Sequence, residues 1–477
     1  MSGWRWKWPN AGAGASKDTL NLPWRLEQRD NAPWHTFTED RIAHGGNMPI
    51  IRCLALLWLV LLSTGCMQRD PYRVERDFPP ASSGVLPQQP AFNPDKSKQC
   101  SGARCVHFVE FDEFGNPESR QQFESGLAAA ESVAKNDGVV VVYIHGWHHT
   151  AGPDDEDITN FLKLVADTKT EDNREVVGIY VGWRGDSIDS ENLFSMPFSY
   201  GLTFWDRKNT AHRIGNGGGV TELVRTLSDI RSRNEESRLM VIGHSFGGAI
   251  LYSAISHGVT EQIRRDGQNS SAYTPIADLV VLINPAFEAM RLRPLYSFAR
   301  NFEYPTDQKP RLMIITTKAD FPTRRLFKAG RYVGTLFQGY PNDFSQEQDV
   351  TAIGHYEPYI THQLKMVNCE KDEPAFNLTE AGRPLSMCFK KGDQSLLLTR
   401  CDKASDCEDV TSDHSITRGP AGNFIPHRFP IYNIRTTKDV MTGHVDNWSS
   451  SMQFLLFSLL EQVQKPETLP MHERELR

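Results

Sequence analysis

The stretch Leu239-Met-Val-Ile-Gly-His-Ser-Phe-Gly-Gly248 decides the fold of this 477-residue chain. Its first four residues are apolar, which is typical of a buried strand, and a helical pattern follows Ser245. Glycine stands two positions before and two positions after this serine, at 243 and 247. A serine at a sharp strand-to-helix turn needs glycine at both places, because a side chain there would clash with the turn. The stretch therefore predicts a nucleophilic serine raised above the edge of a sheet.

The segments on either side of this stretch alternate between strand-like and helix-like patterns. Unbroken apolar runs predict strands buried on both faces, and apolar residues at helical spacing predict helices. The predicted strands are 106–111, 139–144, 176–181, 239–242, 279–283, 312–316 and 429–434. The predicted helices are 119–135, 158–166, 220–231, 246–256 and 448–463. This alternation predicts an α/β fold with a mostly parallel central sheet flanked by helices.

Together with Ile144-His-Gly-Trp147 at the end of an early predicted strand, the serine motif resembles the lipase and esterase branch of the α/β-hydrolase superfamily. It is especially similar to bacterial members whose substrates are undefined. The resemblance covers roughly residues 138–330 and 430–463. It implies the α/β-hydrolase fold, Ser245 as the nucleophile, and the backbone N–H groups of Phe246 and Trp147 as the two oxyanion-hole donors. It implies neither a metal nor an organic cofactor.

A serine hydroxyl is unreactive unless a base removes its proton, so a histidine is required. The family order of serine, acid and histidine places the base in a loop between the last strand and the last helix. His444, in Thr442-Gly-His-Val-Asp446, fits that place and is the predicted base. His355 is the alternative. We expect His145 and His244 to fix loops rather than to act as the base.

The family also implies an acid that orients the histidine. Asp320, which follows the predicted strand 312–316, is the predicted acid. Asn284 stands where some lipases carry the acid, and an amide cannot take that role as an anion. Glu288 is the fallback. Asp320 could instead be a turn or helix-capping residue, which is a common use of aspartate.

The N-terminal part carries a targeting pattern. Met48-Pro-Ile-Ile-Arg52 precedes an apolar run, 53–62, which ends in Ser63-Thr-Gly-Cys66. This is typical of a secretory signal peptide, and the run is shorter than the about 20 residues of a transmembrane helix. Its end resembles the lipobox of bacterial lipoproteins, in which Cys66 would be lipidated, although most lipoboxes carry leucine at the place of Ser63. An uncleaved apolar anchor or a plain signal peptide is the alternative.

These patterns divide the chain into segments. Residues 1–47 are a predicted non-native extension, with translation starting at Met48, and 48–65 form the signal peptide. Residues 66–98 are a Pro-rich tether, 99–464 the hydrolase domain with a Cys-rich insertion at about 369–428, and 465–477 a polar tail. With Met67 rather than aspartate after Cys66, the resemblance to lipoproteins implies a periplasm-facing protein at the outer membrane of a Gram-negative host.

Six cysteines remain if Cys66 is lipidated and the signal peptide is removed. An even number in an exported chain predicts disulfides, whose pairing the sequence leaves open. A zinc site is the weaker interpretation, because no paired Cys-x-x-Cys spacing occurs. The six are Cys100, Cys105, Cys369, Cys388, Cys401 and Cys407.

Composition excludes one class of partner. The formal net charge is −7 and no long basic run occurs, which argues against nucleic acid. The sequence predicts an exported, membrane-anchored serine hydrolase that cleaves acyl esters through a Ser-His-Asp triad and an acyl-enzyme. An acyltransferase with the same triad and a catalytically silent, partner-binding envelope lipoprotein are the alternatives. The aromatic segment 193–205 is a candidate acyl-binding wall or lid, or simply packs on the sheet.

Overall fold

The computed structural model describes residues 71–74, 92–168, 174–186, 197–268, 276–304, 308–367, 386–391, 394–401 and 429–464. All of them belong to one compact unit of the chain, Leu62–Arg477. The predicted extension, signal peptide, Cys66 and polar tail lie outside the described residues. Within the described ranges, no helix is long and apolar enough to cross a membrane.

In the described part of the chain, eleven strands form one sheet with the order β1-β2-β4-β3-β5-β6-β7-β11-β8-β10-β9. The eight strands from β2 to β8 in this order run parallel, and antiparallel pairs close both edges. The strands are β1 (Lys98–Ser101), β2 (Arg104–Glu110), β3 (Val139–Ile144), β4 (Val176–Gly182), β5 (Arg238–His244), β6 (Leu279–Ile283), β7 (Leu312–Thr317), β8 (His362–Met366), β9 (Ser386–Lys391), β10 (Gln394–Arg400) and β11 (Ile431–Thr436).

Helices cover both faces of this sheet. The α-helices are α1 (Arg120–Lys135), α2 (Glu156–Asp167), α3 (Pro197–Asn216), α4 (Gly219–Ser232), α5 (Phe246–Asp266), α6 (Ala289–Ala299), α7 (Phe327–Gly334), α8 (Asp343–Val350) and α9 (Ser450–Gln464). A π-helix, Pro322–Leu326, precedes α7, and two 3-10 helices, Ile353–His355 and Glu357–Tyr359, precede β8.

The core consists of two apolar clusters, one on each face of the sheet. Helices α1, α3, α4, α5 and α6 pack into the first cluster, and α2 and α9 pack into the second. β3 contributes side chains to both clusters. Val140 and Val142 lie in the first, and Val141 and Tyr143 lie in the second. Such burial on both faces explains why the central strands are unbroken apolar runs.

The predicted α/β class and the mostly parallel sheet are confirmed. Two predicted strands, 139–144 and 279–283, have the observed bounds, whereas α5 continues ten residues beyond the predicted end at 256. Several observed strands and α-helices have no counterpart among the predicted ones, namely β1, β8, β9, β10, α3, α6, α7 and α8. α6 was missed because Pro294 lies inside it, and β9 and β10 because they lie in the polar, Cys-rich insertion. That insertion extends the sheet by an antiparallel hairpin.

Part of the predicted tether is fastened to the folded body. The backbone N–H groups of Tyr72 and Arg73 donate to the buried carboxylate of Glu110 at 2.8 and 2.9 Å. The guanidinium of Arg73 stacks 3.8 Å from the ring centre of Phe108, and its Nε donates to the carbonyl of Ala151 at 2.7 Å. A buried arginine and a buried carboxylate therefore hold residues 71–74 against the folded body, within the segment that the sequence predicted as a tether.

The cysteines are partly described. Cys100 and Cys105 form a disulfide across the β1–β2 pair. Cys388, on β9, and Cys401, directly after β10, are disulfide-bonded as well. The two other predicted disulfide cysteines, at 369 and 407, lie outside the described residues.

Candidate active site

Ser245 occupies the predicted turn between β5 and α5. Its backbone has φ of 53° and ψ of −118°, a conformation that L-residues rarely adopt. A Cβ on Gly247 would lie 2.1 Å from the carbonyl oxygen of Ile144, and one on Gly243 would lie 2.7 Å from the carbonyl oxygen of Gly247. Both glycines are thus required by backbone atoms, as the sequence motif predicted.

Three side chains from distant parts of the chain meet at this turn. His444 Nε2 lies 2.9 Å from Ser245 Oγ, and His444 Nδ1 lies 3.0 Å from Asp320 Oδ1. A carboxylate only accepts hydrogen bonds, so the proton of a neutral His444 belongs on Nδ1. Nε2 is then the acceptor for the hydroxyl of Ser245. The structure brings the predicted nucleophile, base and acid together in the order that a Ser-His-Asp triad requires.

Asp320 is fully buried in the turn between β7 and the π-helix. It accepts the backbone N–H of Thr323 at 3.0 Å and also the Thr323 hydroxyl. Burial alone would raise the pKa of Asp320, but the electrostatic attraction of the His444 ring and the hydrogen bonds from His444 and Thr323 outweigh it and lower the pKa. The predicted acid and its alternative, a turn residue, are therefore both realised: Asp320 caps this turn, and it is an ionised partner for His444.

The loop that carries His444 is held through its backbone. Asn284 Nδ2 donates to the carbonyl oxygens of His444 at 3.0 Å and Gly443 at 3.3 Å. Thr317 Oγ1 donates to the carbonyl oxygen of Met441 at 2.7 Å. Asn284 thus holds the loop that carries His444. The sequence patterns did not predict this role or that of Thr323, although an asparagine directly after the predicted strand 279–283 was a usable signal. The structure gives Asn284 a φ of 44°.

His244 also fixes this loop. Its ring is buried, and burial lowers the pKa well below the ordinary value, so the ring is neutral. Its Nε2 lies 2.9 Å from the carbonyl oxygen of His444, which can only accept, so Nε2 carries the proton and donates. His244 therefore stabilises the position of the candidate base, in agreement with the loop-fixing role expected from sequence.

His145 has a comparable role at the end of β3. Trp183 donates its backbone N–H to His145 Nε2 at 3.1 Å and its indole N–H to the His145 carbonyl at 2.9 Å. Burial lowers the pKa of His145 to about 4, so this ring is neutral near pH 7. The contacts fix the chain directly before Gly146 and Trp147.

The two predicted oxyanion donors lie on the segments that meet at Ser245. Phe246 is the first residue of α5, where backbone N–H groups have no acceptor within the helix. A Cβ on Gly146 would lie 2.9 Å from Ser245 Cβ, so the loop after β3 runs against the turn, and Trp147 follows directly. The ring centres of Trp147 and Phe246 are 6.0 Å apart. The structure thus brings both residues to the nucleophile.

Phe204 is the described member of the aromatic segment that contacts this region. Its ring centre lies 5.6 Å from that of Trp147 and 5.3 Å from that of Phe246. It also packs edge-on against Phe327 at 6.1 Å. Residues 191–196 and the side chains of 197–203 lie outside the described part. The acyl-binding wall beside Ser245 remains a prediction. Phe204 supports it by packing against Trp147 and Phe246.

The two alternative residues lie elsewhere. His355 Nε2 contacts Thr323 Oγ1 at 2.9 Å and thus sits behind Asp320 rather than beside Ser245. Glu288 lies buried in an ionic cluster, with Lys208 at 2.5 Å, Arg291 at 2.8 Å and Arg331 at 3.1 Å. Burial would raise the pKa of Glu288, but these three cations outweigh it and hold the pKa far below its ordinary value.

Replacing Glu288 by glutamine is therefore expected to destabilise the protein without affecting the chemistry of Ser245. The change leaves the buried ammonium of Lys208 without its carboxylate, and breaking such a pair typically costs about 3 kcal/mol or more. Urea unfolding at pH 7 measures the loss of stability. Ester turnover per folded molecule should stay within about twofold of the parent, and a larger loss would assign Glu288 a role at the active site.

In the described ranges, no group of three or more His, Cys, Asp or Glu side chains could hold a metal ion. Comparison of the chain with protein families, curated proteins and solved structures found no match. The arrangement of residues is therefore the basis for any functional proposal.

Proposed function

We propose that this protein is a serine hydrolase of the α/β-hydrolase fold that cleaves carboxylic esters through a Ser245-His444-Asp320 triad and an acyl-enzyme. The contact that carries the proposal is the 2.9 Å distance between Ser245 Oγ and His444 Nε2. It occurs at a strained strand-to-helix turn whose glycines are dictated by backbone contacts. A serine, a base and a buried carboxylate in this order activate a hydroxyl, which a structural role does not require.

The chemistry follows from the acceptor and donor roles of these groups. Ser245 Oγ attacks the acyl carbonyl as His444 Nε2 takes its proton, and Asp320 stabilises the imidazolium that forms. The tetrahedral oxyanion is stabilised by the N–H groups of Phe246 and Trp147. His444 then gives the proton to the leaving alcohol, and an acyl-Ser245 ester remains. Water, deprotonated by His444, releases the carboxylic acid and restores the serine.

The location is part of the proposal. We place the hydrolase at a membrane surface, anchored by a lipid on Cys66 and facing the periplasm. The support is the signal-like run before Cys66 in the sequence. Mass spectrometry of the protein from its native membrane tests it, since lipidation predicts a first residue at Cys66 that carries acyl chains.

The test of the hydrolase is labelling of the folded full-length protein with a fluorophosphonate, which reacts only with an activated serine. We expect stoichiometric labelling at Ser245, identified by peptide mass, and none in Ser245→Ala. Ser253→Ala is the matched control, because this hydroxyl contacts another histidine, His212, at 3.1 Å and should leave labelling unchanged. A folded parent that does not label would favour the silent envelope lipoprotein.

A further inference from the structure

A large cavity lies on the segment that follows Asp320. Its volume is about 850 Å³, and its walls come from the end of β7, the π-helix, α7, the 3-10 helices and β11. His355 lines it, and the contact of His355 with Thr323 separates it from Asp320. Neither Ser245 nor His444 lines the cavity. It is therefore distinct from the active site and shares a wall with it.

The walls are strongly cationic. Burial lowers the pKa of the lining His355 to about 4, so this ring adds no charge near neutral pH. The lining contains one carboxylate residue, Glu357, and five positively charged residues. The cations are Lys318, Arg324, Arg325, Lys328 and Arg435. An excess of positive charge in a concave site attracts and holds anions.

Arg435 shows that the site is built into the fold. It lies on β11 and is only 8% exposed, although its guanidinium carries five N–H donors. The side-chain acceptor that the structure describes for it is Glu357 Oε1, at the long distance of 3.5 Å. The guanidinium has further N–H donors through which it can bind an anion in the cavity.

The charge and the size of the cavity together select the ligand. A phosphate carries up to two charges and three acceptor oxygens, and arginine binds it through two parallel hydrogen bonds, so it matches this wall better than a single carboxylate does. The volume is that of a site for a much larger molecule than a phosphate ion. Apolar side chains that remain about half exposed fill part of the lining, namely Phe321 at 59%, Leu326 at 52% and Tyr332 at 47%.

We propose that this cavity binds an amphiphile through its phosphate group, with the phosphate at Arg435 and the apolar part along the π-helix and α7. Three further exposed apolar side chains follow in the chain, at Val333, Leu336 and Phe337. Binding here needs no reaction at Ser245, so the proposal goes beyond the esterase function and does not depend on it.

Calorimetric titration of the folded full-length protein tests the site with three probes. Octyl phosphate, below its micelle concentration, carries the phosphate and the chain and has no carboxylic ester to be cleaved. Inorganic phosphate carries the head group alone, and octanol the chain alone. We expect saturable binding of octyl phosphate, at least tenfold tighter than that of inorganic phosphate, and none of octanol.

Variants locate the site. Arg435→Gln and the double variant Arg325→Gln/Lys328→Gln should each weaken octyl phosphate binding at least tenfold. The double variant alters side chains near the surface, so the test holds even if Arg435→Gln fails to fold. The double variant Lys135→Gln/Arg233→Gln removes the same charge from exposed positions elsewhere and should bind like the parent.

Four outcomes would overturn the proposal. Absence of saturable octyl phosphate binding removes the site. If inorganic phosphate binds as tightly as octyl phosphate, the cavity is a site for free phosphate. If octanol binds as tightly as octyl phosphate, the phosphate group plays no part in binding. Equal weakening by the two double variants would show a general charge effect rather than a site.

Discussion

Replacement of Ser245 by alanine is expected to lower kcat/KM for a p-nitrophenyl ester by about 10⁴-fold or more, and His444→Ala should cost about as much. The two side chains act as one unit, because the hydroxyl that attacks is the one whose proton Nε2 accepts across 2.9 Å. The double variant should therefore be no less active than either single variant. Steady-state kinetics of the three variants and the parent measure this.

His355→Ala is the matched control for the base. His355 contacts Thr323 and not Ser245, so its removal should lower kcat/KM by no more than about tenfold. Circular dichroism shows whether each variant is folded. Losses that add in the double variant, or a His355→Ala enzyme as inactive as His444→Ala, would contradict the proposed triad.

Replacement of Asp320 by asparagine is expected to lower kcat by about 10³- to 10⁴-fold while Ser245 and His444 remain in place. An amide that presents N–H to Nδ1 favours the tautomer with the proton on Nε2. That nitrogen would then donate to Ser245 Oγ instead of accepting from it. Glu288→Gln makes the same carboxylate-to-amide change at another buried site, and it should keep its activity per folded molecule.

The Asp320→Asn variant should also change how the free energy of unfolding depends on pH. Because the pKa of folded Asp320 is below its ordinary value, its ionised form stabilises the fold at pH above about 4, the unfolded value. This contribution is lost as the pH falls through the folded value. The stability gap between parent and Asp320→Asn in urea unfolding should thus shrink as the pH is lowered from 7 to 3. A constant gap would mean that the fold does not lower the pKa of Asp320.

Local sequence was sufficient where the chemistry depends on neighbours in the chain. The turn at Ser245 could be predicted because a side chain at either of its two glycines would clash with backbone atoms of the same motif or of β3. His444 and Asp320 could be predicted from chain order, although a resemblance rather than periodicity supplied that order. The 2.9 and 3.0 Å contacts that join them are properties of the fold alone.

Other parts of the site depend on which strands lie next to each other in the sheet, and a local sequence pattern does not specify that order. Asn284 reaches the carbonyl of His444 because β6 ends beside the loop after β11, 160 residues away in sequence. Arg435 reaches the cationic cavity because β11 pairs with β7, where it lies opposite Thr316. The chain after β8 contributes β9 and β10, which extend the sheet from within the predicted Cys-rich insertion.

If the protein is the membrane-anchored hydrolase proposed above, the attachment of Tyr72 and Arg73 to Glu110 limits how far it can move from the membrane. With a lipid on Cys66, as proposed, only six residue steps separate the anchor from Tyr72. At about 3.5 Å per residue, the extended chain from Cys66 to Tyr72 is roughly 20 Å long at most. If the chain were unattached as far as residue 92, its extended length would be roughly 90 Å. Tyr72 would then stay within roughly 20 Å of the anchor, less than the about 30 Å thickness of a bilayer's hydrocarbon core, so the enzyme would remain at the membrane surface. Esters in or on that membrane would then be its substrates before any ester deeper in the compartment.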